Sequence, residues 1–450
     1  MNTLRTLADK VRLYCRVYAR YVYIRLPVSE YFRFRLKVFF FGLFKPLFNG
    51  AASYQFLSEQ LCISKNDVGY YDADLKVSSL PTARRMLLLD ACTPTPDRDS
   101  GSIDVFNSIR IFIELGFEVT FIPESNMLSF GRYTKELQSM GVRCLHAPEV
   151  KSVRRWLQRH GRSFEVVMLF RAPTAIRHVQ TIREFCPQAK LIFSTLDLQF
   201  LREGRQSGVD VSNISNALNC INRAEIDCIS RVDRAIVISE AERSFINHIL
   251  PETLIDVVPL IRDEPTVQGI QASHRSGLAF VGNFQHPPNL DAVMWFLDSV
   301  WPKVHAEIPE AKFYIVGSYM PQQLSECNHE NVVPLGYLAS LDQLFGNLRL
   351  SVAPLRFGAG LKGKVATSLA YGVPVVITSV GAEGMGLEHE RDVLLADFAD
   401  DFVQCIVRLY HDDNLWQRLS GNGLQRAKES FSMDASRSAY ERIFKSLELI

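Results

Sequence analysis

"LRLSVAPLRFGAGLKGKVATSLAYGVPVVIT", residues 348–378, runs from an apolar stretch through a glycine loop to two further apolar stretches. Residues 348–355 have the short apolar make-up of a buried strand, and 373–378 repeat it. Between them Val365, Ala366 and Leu369 share one face of a helix, Gly372 suits its C-terminal cap, and Pro374 begins the next strand. Strand, loop, helix and strand make a βαβ unit, which calls for a parallel sheet.

The loop poses a chemical question. From Gly358 it reads G-x-x-x-x-G-K, a P-loop in all but its last letter. A P-loop would follow Lys364 with Ser or Thr to hold Mg²⁺; this chain has Val365. No apolar strand ending in a Walker-B Asp is evident, so triphosphatase chemistry lacks its parts. A glycine loop opening a helix still offers backbone N–H groups and a positive helix end to an anion. Lys362 and Lys364 are expected to add full charges there. The plain alternative is a surface turn with solvated lysines; the physics favours a phosphate or diphosphate cradle.

The same texture extends outward. "RRMLLLD", "FEVTFIP", "EVVMLF", "KLIFSTLD" and "RAIVIS" read as strands, and a helix through Phe106, Ile109 and Ile113 closes at Gly116. After a polar linker come "LAFVGNF", a long helix "NLDAVMWFLDSVWPKVHAEI", "KFYIVGS" and "VVPLG". A chain of 450 residues, 47% hydrophobic and 22% charged, suits two globular domains. The expected fold is α/β: two Rossmann-like domains at 84–262 and 277–435, facing across a cleft, with a linker at 263–276 and a C-terminal helix at 436–450. Ligands of such sheets bind beyond the carboxyl ends of the strands.

Residues 1–83 differ in kind and are expected to form a basic, aromatic, helical extension. The first fifty residues carry ten Lys/Arg against two acids, with Arg12, Arg16 and Arg20 on one helical stripe. Aromatic rings interleaved with basic groups suit an interface with anionic lipid; helices packed on the main body are the alternative. The longest apolar run there, Val38–Phe44, is far short of a membrane span. A formal net charge of +1 gives no case for nucleic-acid binding. Nine dispersed cysteines, without a C-x-x-C or Cys/His spacing, read as cytosolic thiols and not as metal ligands or a disulfide framework.

Several stretches in combination resemble bacterial family 4 glycosyltransferases of the GT-B fold: "LDLQFLRE", "GNFQHPPNLDAVMWF", "FYIVGS" and "PLRFGAGLKGKVATSLAYGVPVVITSVGAEGM". The resemblance covers roughly residues 84–435. It implies a retaining, hexosyltransferase-type transfer from a nucleotide-sugar, held mostly by the second domain, to a glycan or lipid-linked acceptor held mostly by the first. By motif it implies that Gly282 and Asn283 approach the donor phosphates. Arg356, Lys362 and the Gly358/Gly360 loop, with Lys364, would neutralise the diphosphate, and Glu383 would lie near the same cleft. Gly101 and Ser102 would line the cleft from the first domain, as would Asp197 and Gln199 of "LDLQF".

Two departures stand out. Many family members carry two Glu eight residues apart; registering on "GVPVV" puts Ala359 and Thr367 there, Thr367 taking the ribose position. Relatives tend to have His where Gln199 stands, and Gln cannot titrate near neutrality. No Asp/Glu pair at an obvious spacing supports a hydrolase. A retaining transferase can work without one: the departing diphosphate takes the acceptor's proton, and the protein stabilises that diphosphate. The expected setting is surface polysaccharide or lipopolysaccharide synthesis, peripherally on the cytoplasmic face of the plasma membrane, with no cofactor or metal. A degenerate GT-B scaffold that binds nucleotide or glycan and a nucleotide-sugar epimerase are the rival readings. Deleting residues 1–50 is expected to leave a folded body that no longer sediments with anionic vesicles; unchanged, salt-independent sedimentation would refute the anchor.

Overall fold

Runs such as Met86–Leu89 and Val166–Phe170 are apolar at every position, so both faces of their strands must be covered. The computed structural model describes residues 84–450 except 126, 202–222, 266–271 and 359, so the basic extension and Ala359 lie outside the described residues. The first sheet is wholly parallel and ordered β3-β2-β1-β4-β5-β6-β7. Its strands are β1 Arg84–Asp90, β2 Phe117–Pro123, β3 Arg143–Cys144, β4 Val166–Phe170, β5 Lys190–Ser194, β6 Arg234–Val237 and β7 Ile255–Val257. The second, also parallel, is ordered β10-β9-β8-β11-β12-β13. It comprises β8 Ser276–Val281, β9 Phe313–Val316, β10 Val332–Gly336, β11 Leu348–Ala353, β12 Val375–Ile377 and β13 Leu394–Leu395. The α/β class and the two facing sheets are as the sequence implies.

In each sheet the strand order reverses at one place, between β1 and β4 in the first and between β8 and β11 in the second. Those are the crevices where an open parallel sheet takes a ligand. Helix α1 (Ser100–Glu114) follows β1, α2 (Ala172–Phe185) follows β4, and α3 (Glu240–Ile249) follows β6. In the second domain α4 (Pro287–Trp295) follows β8 and α5 (Gly363–Ala370) follows β11.

One expected helix is broken. Residues 289–308 do not form a single rod: α4 gives way to a π-turn at Phe296–Val300, and a new helix starts at Trp301. Pro302 is the cause, since it has no N–H to donate to the preceding turn.

The chain then doubles back. Helices α6 (Ala399–His411) and α7 (Asp413–Ser430) pack on the second domain through Phe402, Ile406, Trp416 and Leu419. Helix α8 (Met433–Ser446) returns to the first, burying Tyr440, Ile443 and Phe444 against α1 and β2. The Phe444 ring lies 4.9 Å from Phe117 and 5.6 Å from Phe112, and the Tyr440 hydroxyl meets Ser108 Oγ at 2.9 Å. The last helix therefore belongs to the first domain's core. Among the described residues no helix is long and apolar enough to cross a membrane. Phe444→Ala is expected to cost about 3–5 kcal/mol of first-domain stability, read as a lower urea midpoint with an unchanged far-ultraviolet spectrum before unfolding.

Candidate functional site

The glycine loop leaves β11 at the switch point of the second sheet and turns into α5. Gly358 (φ +146°) and Gly360 (φ +70°) take backbone conformations that side-chain-bearing residues avoid. The cap residue of α5 is Lys362, and no side chain caps this helix. Its positive end thus faces the cleft. Val365, where a P-loop would need a hydroxyl, is fully buried in the apolar core beneath. The loop is not a P-loop.

The two lysines differ, contrary to the expectation of two equal charges. Lys362 is only 8% exposed, and its ammonium donates to Gly360 O at 2.5 Å, so it curls over the loop. Lys364 is half-buried; it donates to Asn289 Oδ1 at 2.5 Å and sits 4.4 Å from the centre of the Phe280 ring. Burial, helped by the Lys362 charge, pulls Lys364 down to about 7. Burial therefore disfavours its charged form, and an approaching anion would favour it.

Other expected residues gather around this loop. Gly282 and Gly317 pass so closely that a Cβ on Gly317 would meet Gly282 O at 1.7 Å. Asn283 bonds Gln285 N through its oxygen and reaches Arg98 O in the first domain at 3.3 Å through its nitrogen. Arg356 is half-exposed and paired with Asp291 of α4, its Nε donating at 2.9 Å. Such a surface pair is worth about 0–1 kcal/mol, so a diphosphate can compete for the guanidinium. Thr367 lies one turn into α5 on the stripe that begins with Gly363. Glu383 is exposed at the end of the short helix Ser379–Ala382, next to Gly384, whose Cβ would lie 3.2 Å from Leu361.

The first domain supplies the opposite wall. The carboxylate of Asp99 caps α1, accepting from Ser102 N at 2.9 Å and Ser102 Oγ at 2.6 Å. Ser102 is thus buried in the cap and does not present its hydroxyl to the cleft; Ser100 faces the second domain instead. A Cβ on Gly363 would lie 2.0 Å from Ser100 Oγ. Gly101 lies under Arg171, whose guanidinium would be 3.0 Å from a Cβ there. Asp197 faces Gly360, with 3.5 Å between its Cβ and a Cβ built on the glycine. Glu225 holds this segment by accepting from Gln199 N at 3.2 Å and Phe200 N at 3.0 Å.

Residues that the motifs did not single out complete the wall. Asp90, fully buried at the end of β1, pairs with Arg171 after β4; burial pushes its carboxyl up, and Arg171 opposes the shift. Arg171 holds a φ of +69°, a strain on the order of 1–3 kcal/mol for a side-chain-bearing residue. Both stand at the carboxyl ends of predicted strands, a signal that was available. Arg262 and Asp104, partners across 158 residues, carried no such local signal.

Residues 275–412 match the family model described as Glycosyl transferases group 1. An uncharacterized 44.6 kDa protein in the cps region of Klebsiella pneumoniae is 25% identical over 181 residues, 38% of this chain and 46% of that relative. The fold is similar to sucrose-phosphate synthase from Thermosynechococcus elongatus: 15% identity, TM-score 0.60, 81% of this chain and 99% of that one. Anabaena HepE, solved in complex with UDP, gives 13% identity and a TM-score of 0.59 over 81% of this chain and 100% of its own. The family match bears out the resemblance to glycosyltransferases over residues 275–412, and the two solved structures bear out the two-domain fold.

Gly363→Ala is expected to wedge the cleft, since its Cβ would fall 2.0 Å from Ser100 Oγ and 2.5 Å from Arg262 Nη2. Small-angle scattering should report a larger radius of gyration with little change in helix content, and Ser100→Gly should reverse part of the effect.

Proposed function

We propose that this protein is a retaining glycosyltransferase of the hexosyltransferase kind, acting in cell-surface polysaccharide synthesis. It would move a sugar from a nucleotide-sugar to a glycan or lipid-linked acceptor. One observation carries the reading: the uncapped start of α5, with its glycine loop and Lys362, faces the start of α1 across the cleft. The family match over residues 275–412 supports it, as do the structures of HepE with UDP and with UDP-glucose. The cps-region relative supports the polysaccharide setting.

The donor diphosphate would sit at the α5 N-terminus, against Gly358, Gly360 and Lys362. Negative charge on it grows as the glycosidic bond breaks, so the backbone N–H groups and Lys362 act most strongly in the transition state. Lys364, poised near neutrality, takes up its full charge as the diphosphate arrives, and Arg356 exchanges Asp291 for phosphate. The acceptor would approach from the first-domain wall at Ser100, Gly101 and Asp197. Its hydroxyl attacks from the leaving-group face, passes its proton to the departing diphosphate, and so retains the anomeric configuration. Side chains and backbone neutralise the leaving group, so the reaction is proposed to need no metal. Residues 1–50 would hold the enzyme peripherally on the cytoplasmic face of the plasma membrane.

Lys362→Ala is expected to lower kcat by about 10²–10³ and to change KM less, in an assay of nucleotide-sugar turnover across UDP-, GDP- and dTDP-sugars. The wild type should not hydrolyse ATP. Magnesium-dependent ATP turnover that disappears in Lys364→Ala would overturn the transferase assignment.

A further inference from the structure

We infer that Glu242, in the first domain, is a positioning residue of the donor site. It acts on Lys362 across the cleft and takes up a proton from solvent when a nucleoside diphosphate enters the cradle. This rests on the donor-site reading above and adds to it a residue outside the motifs quoted for that reading.

The placement comes first. Glu242 lies in the first turn of α3, where Ser239 caps the helix by accepting from Glu242 N at 3.2 Å. Its carboxylate folds back and accepts from Ile238 N at 3.2 Å. The side chain is 7% exposed, beneath the spot where the glycine loop of the second domain lands. A Cβ on Gly360 would lie 3.6 Å from Ile238 Cδ1 and 3.5 Å from Asp197 Cβ, and one on Gly384 would lie 3.6 Å from Ser239 Oγ. The loop that carries Lys362 therefore rests on the residues that surround Glu242.

The charge environment follows. The charged groups that act most strongly on Glu242 are Asp197, on the segment after β5, and Lys362, ahead of α5. On its own helix, Glu240 and Arg243 pair with each other at the surface at 2.6 Å. Burial pushes the Glu242 carboxyl up to about 7, with Asp197 adding to the rise; the Ile238 and Leu198 N–H groups and Lys362 oppose it.

The direction of the effect is set by linkage. A bound diphosphate engages Lys362 and adds negative charge beside Glu242, so both changes raise the carboxyl's affinity for a proton. The diphosphate therefore binds more tightly where Glu242 is protonated, and its affinity falls as pH rises through neutrality. Lys364 contributes in the same sense, so the Glu242 share is read as a difference between variants.

Glu242→Gln keeps an oxygen for Ile238 N and removes the titration. The probes are UDP, GDP and dTDP, and the tightest binder is followed by calorimetry at pH 7 in PIPES and in Tris. Wild type is expected to take up on the order of half a proton more per bound nucleotide than Glu242→Gln. Its affinity should also fall several-fold more steeply from pH 6.5 to 8. Asp197→Asn should move the wild-type transition to lower pH, because a charge that favours protonation of Glu242 is lost. Equal proton uptake in wild type and Glu242→Gln, or an unmoved transition in Asp197→Asn, would overturn the inference and leave the donor site standing. Failure of all three nucleotides to bind wild type would overturn the donor-site reading itself, and this inference with it.

Discussion

The arrangement of the cleft depends on one buried ion pair. Arg262, 5% exposed where the chain leaves the first domain, donates to Asp104 Oδ1 at 2.7 Å and to Ser100 Oγ at 2.5 Å. The same Asp104 oxygen accepts from Ile261 N at 2.8 Å, and Arg262 N donates to Phe431 O, just before α8, at 2.7 Å. Arg262 thus joins α1 and the end of the first domain through its guanidinium, and the returning C-terminal segment through its backbone N–H. Desolvating two charges is expensive, and removing either partner leaves an uncompensated buried ion, a loss of about 3–5 kcal/mol. Ser100 and Gly363 meet against this pair, so it also sets the spacing between the two helix N-termini.

With that pivot held, the contacts on either side can be weaker. On one flank Asp97 of the first domain pairs with Arg132 and with Tyr337 of the second, while Arg98 reaches the Tyr319 hydroxyl at 3.3 Å. On the other, Gly360 and Gly384 pack on Asp197, Ile238 and Ser239. Exposed polar contacts such as those of Arg132 and Tyr337 exchange readily with water, which suits a cleft that must admit and release ligands. The proposed cradle would combine opposites: a fixed backbone site at α5, and side chains at Lys364 and Glu242 whose charge would respond to what is bound.

Much of this was legible in local sequence. Met86–Leu89 and Val166–Phe170 are apolar without alternation because strands of a parallel sheet are covered on both faces. Gly358, Gly360 and Gly372 sit at positive φ, where the turn and the helix end require residues without a Cβ. Pro302 marks the break in the long helix, although apolar periodicity alone carried the expectation through it. The Ser239–Glu242 spacing is that of a capping box, readable as a helix start and silent about what lies opposite.

The sequence by itself determined the two parallel sheets and the glycine loop that opens α5, because these follow from covalent neighbours and short-range sterics. Tertiary structure alone decided that Ser100 and not Ser102 faces the cleft, and that Lys364 is half-buried against Phe280 and Asn289 while Lys362 curls over the loop. It also paired Asp104 with Arg262 and set Ile238 and Asp197, which flank Glu242, against the glycine loop. Each of these depends on which groups distant segments bring together. A side chain's charge and orientation are set by the burial and partners it meets there, and residue spacing along a chain carries no record of them.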